Sequence, residues 1–148
     1  MTTEVPVLLR HGARAVAAGR VALGLTALAW PRVVARPWVG PADNVTGRVF
    51  GRALGGRDLA LGLGAVAALE GHSEDASSWV AAGALCDALD VAASLASWRE
   101  LPRFTRWLVV ASAGGAAIVG AAGAIAIRGS RKPVSDDQAP ETGQAVPA

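Results

Sequence analysis

Cysteine is nearly absent from this chain of 148 residues, tyrosine is wholly absent, and lysine occurs once. A single cysteine, Cys86, excludes an internal disulfide and any paired C-x-x-C metal or redox motif. It sits in an apolar run, where a cysteine behaves as a small buried hydrophobe, and it has no histidine beside it to make a thiol nucleophile. Positive charge is in short supply too: 14 Lys and Arg stand against 12 Asp and Glu, a formal net charge of +2. So small a surplus offers no dense patch for neutralising phosphates, and nucleic acid is excluded as a partner.

Catalytic signatures are equally scarce. No Ser-His-Asp order and no dinucleotide fingerprint occurs. The glycine-rich "GRALGGRD" lacks the G-x-x-x-x-G-K-[ST] order of a phosphate loop and follows no strand-like alternation. His72 stands among Glu70, Glu74 and Asp75 in a short polar break. One histidine in an exposed turn is normally solvated, His11 has no partner nearby, and no metal or other cofactor is expected. The "NVT" at 44–46 matches a glycosylation sequon, with meaning only where a cell glycosylates that side of a membrane.

What the chain does have is apolar sequence, 52% of it. Runs cover 12–30, 49–69, 77–98 and 105–127, each near the length a helix needs to cross about 30 Å of hydrocarbon. Between them lie "WPRVVARPWVGPADN", "EGHSEDASS" and "RELPR". The prolines of the first break end a helix, and its arginines suit a segment lying in the membrane interface. After Arg128 the polar "GSRKPVSDDQAPETGQAVPA" has nothing to bury and reads as disordered.

Tryptophan position decides between a membrane protein and a soluble alanine-rich helical domain. Trp30, Trp38, Trp79, Trp98 and Trp107 all fall at run ends or in breaks, as in an interfacial belt. A cleaved secretory signal is a rival for the first run, through the small-x-small "ALA" at 27–29, but Arg20 interrupts what would be its apolar core. The reading is therefore all-α: a four-helix transmembrane bundle over residues 1–129, with a short interfacial segment after the first helix and a disordered tail over 130–148. Orientation stays open, because arginines are nearly balanced on the two sides.

Small residues mark the packing faces. Gly47, Gly51 and Gly55 recur at every fourth position, Gly62 follows on nearly the same face, and Gly120 belongs to a similar stripe with Ser112, Ala116 and Ala124. Such spacing lets helices approach closely in lipid. Packing within one chain is the ordinary use, and self-association the alternative.

The charges inside the runs are the candidate site. An antiparallel hairpin of runs two and three puts Arg57 level with position 88, flanked by Asp87 and Asp90, which share one helix face. Arg52 falls about one turn from Asp90. Arg20, on the first run, is level with positions 54–56, and Asp58 points about 100° away from Arg57 toward that run. Arg20, Arg52 and Arg57 then balance Asp58, Asp87 and Asp90 in one layer. A lone charge at mid-bilayer costs at least about 2.5–3.5 kcal/mol, so balance at one depth is expected.

The stretch "GRALGGRDLALGLG" followed by "ALCDALDVAASL" resembles small four-span integral membrane proteins of actinobacterial type. The shared pattern is G-R-x-x-G-x-R-D-x-x-x-G on the second helix and D-x-x-D on the third. The resemblance covers roughly residues 12–127, implies the four-span fold, and brings no activity with it. The expected function is that of a multi-pass cell-membrane protein, structural or partner-binding rather than enzymatic. Its partners are the lipid bilayer and another membrane protein or a second copy of itself. The alternative is a small-solute or proton-coupled carrier using the Asp/Arg cluster, followed by an enzyme acting on a lipid or quinone. A dry, fully paired charge layer would mark the first, and a water-accessible cavity touching the acids the second.

Overall fold

The computed structural model describes residues 4–130, with side chains from Val7 onward. The tail expected to be disordered lies, beyond Ser130, outside the described residues. Five helices follow one another, α1 (Glu4–Ala29), α2 (Pro31–Val39), α3 (Val45–Glu70), α4 (Ala76–Ala96) and α5 (Arg103–Gly129), and among the described residues there is no strand.

The helix ends follow from local chemistry. α1 stops at Ala29, with the Trp30 amide still donating to the Thr26 carbonyl at 2.7 Å. Pro31 cannot continue that ladder, yet it suits the first position of a new helix, where its missing N–H has no partner to lose. The prolines of this break therefore do not exclude helix. Pro31 opens α2 and Pro37 lies within it. Gly40, at φ 83°, then turns the chain in a conformation that favours glycine. Asn44 caps α3 by accepting from the Gly47 amide at 2.7 Å. His72, also at positive φ, closes the tight turn between α3 and α4.

α1 packs most extensively on α3, and α4 on α5, while α1–α5 and α3–α4 contacts close the remaining sides. The glycines set these distances. A Cβ on Gly62 would lie 2.8 Å from the Val21 amide nitrogen and 2.9 Å from the Ala17 carbonyl oxygen. One on Gly55 would lie 2.7 Å from the Ala27 Cβ. Gly51 meets Pro31 in the same way, Gly47 meets Ala42, and Gly120 meets Ala84. All five contacts fall within the chain, whereas Gly56 has nothing within 4 Å.

The distribution of side chains is inverted relative to a water-soluble domain. The buried apolar residues are mostly alanines, joined by Leu54, Leu69, Val80, Val109 and Ile127, and the interior also holds Arg20, Asp58, Asp87, Ser77 and Ser94. Large apolar groups point outward: Ile118 is 72% and Ile125 73% exposed, and Leu25, Leu63, Leu85 and Leu89 are also exposed. Two helices, α4 and α5, are long and apolar enough to cross a membrane. By the same measure α1 and α3 do not qualify. Their charges, among them Arg10, Arg14 and Arg20 on α1 and Arg48, Arg52, Arg57 and Asp58 on α3, account for the difference.

Aromatic residues gather at the end where α2 lies. Trp98 and Trp107 meet edge to face at 5.2 Å between ring centroids, and the Arg106 guanidinium stands 5.1 Å over the Trp98 ring. Trp38 packs against Phe50 at 5.6 Å. Trp30 and Trp107 are exposed, and Trp79 lies near the opposite end, at the start of α4.

Candidate functional site: a buried charge cluster beside a cavity

Five charged residues from three helices meet near the middle of their elements. Arg20 of α1 is 7% exposed, Asp58 of α3 3% and Asp87 of α4 7%. Close glycine packing brings α1 onto α3 at this level, so the Arg20 side chain crosses the interior to reach α4. Its Nη1 donates to Asp58 Oδ1 at 2.7 Å. Its Nη2 donates to Asp87 Oδ2 at 2.5 Å and to the Gly83 carbonyl at 2.6 Å. Gly83 makes room for this crossing: a Cβ there would stand 3.2 Å from Arg20 Nε.

Arg57 forms the second half. It makes a bidentate pair with Asp90, Nη1 to Oδ1 at 2.9 Å and Nη2 to Oδ2 at 2.7 Å. The same guanidinium reaches Asp58 Oδ1, Nε at 3.3 Å and Nη2 at 3.2 Å. Asp58 Oδ1 is thus shared by both arginines and joins the two pairs into one network across α1, α3 and α4. Burying ions is tolerable only with partners of this quality, and removing one partner strands the others.

Arg52 is not part of the layer. It is exposed, and among the described residues it has no acidic partner. The reason is angular: five residues at about 100° each leave it about 140° around α3 from Arg57. The three-against-three balance therefore fails, and the cluster holds two arginines against three aspartates. Pairing also differs from the hairpin register. Arg57 takes Asp90 alone on α4, while Asp87 belongs to Arg20. Asp58 faces the first helix and still touches Arg57.

A cavity of about 600 Å³, open to the outside past the exposed Leu23, Val33 and Leu108, lies against this network. α1 and α5 touch at one end, where a Cβ on Gly12 would stand 3.0 Å from Val119 and one on Gly123 2.9 Å from Ala13. Farther along, space opens between Val16, Leu23 and Thr26 of α1 and Leu108, Ser112 and Ala116 of α5. Val34 and Trp38 of α2 bound it, and Arg20, Asp58, Asp87 and Asp90 supply its charged wall. A second cavity of about 450 Å³ shares Trp38, Leu54 and Asp90 with the first and is lined also by Arg57, Phe50 and Ser94. Trp38 Nε1 donates to Ser94 Oγ at 3.3 Å, and Ser94 Oγ donates to the Asp90 carbonyl at 2.8 Å. α2 is thereby tied to the helix carrying the acids.

Sequence reasoning passed over Gly83, Ser94 and the place of Trp38 in the cavity wall. Gly83 and Ser94 stand four residues before Asp87 and four after Asp90, spacings that put them on the same face as the acids. Cys86 is half-buried, and among the described residues no three His, Cys, Asp or Glu side chains are grouped as a metal would require. No family model, curated protein or solved structure matches the chain.

Proposed function

We propose that the chain is a multi-pass cell-membrane protein whose four long helices all span the bilayer, and that it binds a small molecule in the cavity beside the charge cluster, as a carrier does. The inverted side-chain distribution supports the membrane reading. Large aliphatic groups cover the outside, where lipid would solvate them, and Arg20 of α1 with Arg57 and Asp58 of α3 turns inward onto partners. Tryptophans at the helix ends and the short proline-bounded α2 suit the interface. Of the other charges of these two helices, Arg14 and Arg52 are exposed, and their long stems can carry the guanidinium toward headgroups.

The single observation carrying the functional reading is the contact between the 600 Å³ cavity and Arg20, Asp58, Asp87 and Asp90. A register-fixing layer with a purely structural role needs to be dry and fully paired. An odd carboxylate facing open space is instead what a binding site needs, and the volume falls within the usual range of small-molecule sites.

Reagent access tests this. In a Cys86→Ala background reconstituted in liposomes, the thiol of an Ala113→Cys variant, in the cavity wall, is expected to react with a charged, membrane-impermeant methanethiosulfonate. That of Leu89→Cys, on the outer face, is expected to stay unmodified. Equal protection of both positions would mean a sealed interior and return the cluster to a structural role.

A further inference from the structure

The cavity wall has a chemical asymmetry. Nearly all its hydrogen-bond donors are engaged, whereas two of its carboxylate oxygens have no donor. The Thr26 hydroxyl donates to the Ala22 carbonyl at 2.8 Å and that of Ser112 to the Leu108 carbonyl at 2.7 Å. Trp38 Nε1 is held by Ser94. Both terminal nitrogens of Arg20 sit on carboxylates, and only its Nε, which lies against Gly83 on the α4 side, has no acceptor among the described residues. Arg57 does not line this cavity.

The acceptor side is open. Among the described residues no donor reaches Asp58 Oδ2 or Asp87 Oδ1, although these side chains are only 4% and 10% exposed. Neither oxygen is among the fully enclosed atoms without a partner, a group in which only Arg106 Nε falls, so each keeps some accessible surface. Both residues belong to the cavity wall. Three aspartates against two arginines give the cluster one acid more than its cations match, in surroundings otherwise built from Val16, Leu23, Val34, Leu108 and Val109.

We infer that the ligand of this cavity is a protonated amine with an apolar body, its N–H groups donating to Asp58 Oδ2 and Asp87 Oδ1 and its hydrocarbon lying between α1 and α5. This rests on the binding role proposed above and names its substrate class. A carboxylate or phosphate would face the open acceptors, with Arg20 Nε the one unengaged nitrogen, and would add charge of the wrong sign. A neutral alcohol would leave the odd aspartate uncompensated. A quaternary ammonium would supply charge without N–H donors, and so is the weaker fit. The ammonium brings both things the wall lacks.

An isosteric series separates these classes on the unmodified full-length chain in nanodiscs, with empty nanodiscs as the partition control. Radiolabelled 3-phenylpropylamine is expected to bind saturably. Unlabelled amine should displace it at least about 10-fold more effectively than 3-phenylpropanol or 3-phenylpropionate, since a charge-assisted hydrogen bond contributes on the order of a factor of ten or more in affinity. An Asp87→Asn change, read only on protein that elutes as a single species, should lower amine binding by a similar factor. An Ala113→Phe change, which fills the cavity from α5, should abolish it. If the alcohol or the carboxylate competes as well as the amine while Ala113→Phe still blocks binding, the cavity role stands and the cation assignment falls. If no member of the series binds saturably, or Ala113→Phe leaves binding unchanged, the cavity is not the site and both conclusions fall.

Discussion

Replacing Arg20 by Ala is expected to remove most of the folded protein, with a stability loss of about 3–5 kcal/mol, the range found when one partner of a buried ion pair is deleted. The size of the effect follows from what Arg20 holds. It supplies charge-assisted bonds to Asp58 on α3 and Asp87 on α4 and also satisfies the Gly83 carbonyl, so its loss leaves two carboxylates almost fully enclosed with one guanidinium to serve three acids. Arg57 cannot substitute, being already bidentate to Asp90. Arg52→Ala is the matched control, because that side chain is exposed and takes part in no ion pair among the described residues, and it should change stability by less than about 0.5 kcal/mol. Yield of monodisperse protein and its unfolding midpoint in detergent measure both. Equal losses for the two variants would mean that Arg20 is not the organising contact.

Charge exchange between Arg57 and Asp90 is the second large effect. Arg57→Asp places an acid against Asp58 and Asp90 and is expected to cost at least about 3 kcal/mol, since like charges meet and no cation remains on that side. Adding Asp90→Arg restores one positive charge opposite one negative and should recover a large part of the loss. Asp87→Arg, added to Arg57→Asp instead, should recover little, because Asp87 faces Arg20 and a third cation there would displace it. Recovery by both second changes alike would show that only net charge matters and that the individual pairs do not.

The contrast between these two acids also marks how far the sequence could be read. Helix positions were legible because apolar runs of spanning length are separated by Pro, Gly and acidic breaks, a pattern with few other solutions. α2 was harder to see, since Pro31 and Pro37 look like helix breakers until Pro31 is placed at a first helical position. Depth was legible too. Counting residues from the turn puts Arg57 beside the Asp87–Asp90 pair, and depth is all that such counting fixes. Rotation about the axis then decides who pairs with whom. It sends Arg52 to the outside, lets Asp58 touch both arginines, and turns Asp87 away from Arg57. Arg20 reaching α4 was invisible to register arithmetic for a different reason: α1 and α4 scarcely touch, and the contact depends on a long side chain passing over Gly83. The cavity was beyond reach of the sequence, because it exists only where α1 and α5, joined near Gly12 and Gly123, leave space between Leu23 and Leu108.

The glycines illustrate the same point from the packing side. Spacing alone left Gly47, Gly51, Gly55 and Gly62 open to use within the chain or between chains. Each is occupied by a neighbour of its own chain, at distances where an added methyl group would collide with backbone or Cβ atoms. Close approach of α1 to α3 is what allows ions on three helices to meet at bonding distance, so the small residues and the charges form one device. Alanine and glycine make the interior narrow, and the narrow interior makes the ion network possible.

Coupling between Arg20 and Asp87, measured as a double-mutant cycle of unfolding free energies for Arg20→Ala, Asp87→Ala and the pair in one lipid or detergent environment, tests the central claim most directly. The network described here predicts that the double change costs less than the sum of the single ones by about 2 kcal/mol or more. Additive losses, with a coupling indistinguishable from zero, would contradict the claim that ions on separate helices hold this protein together.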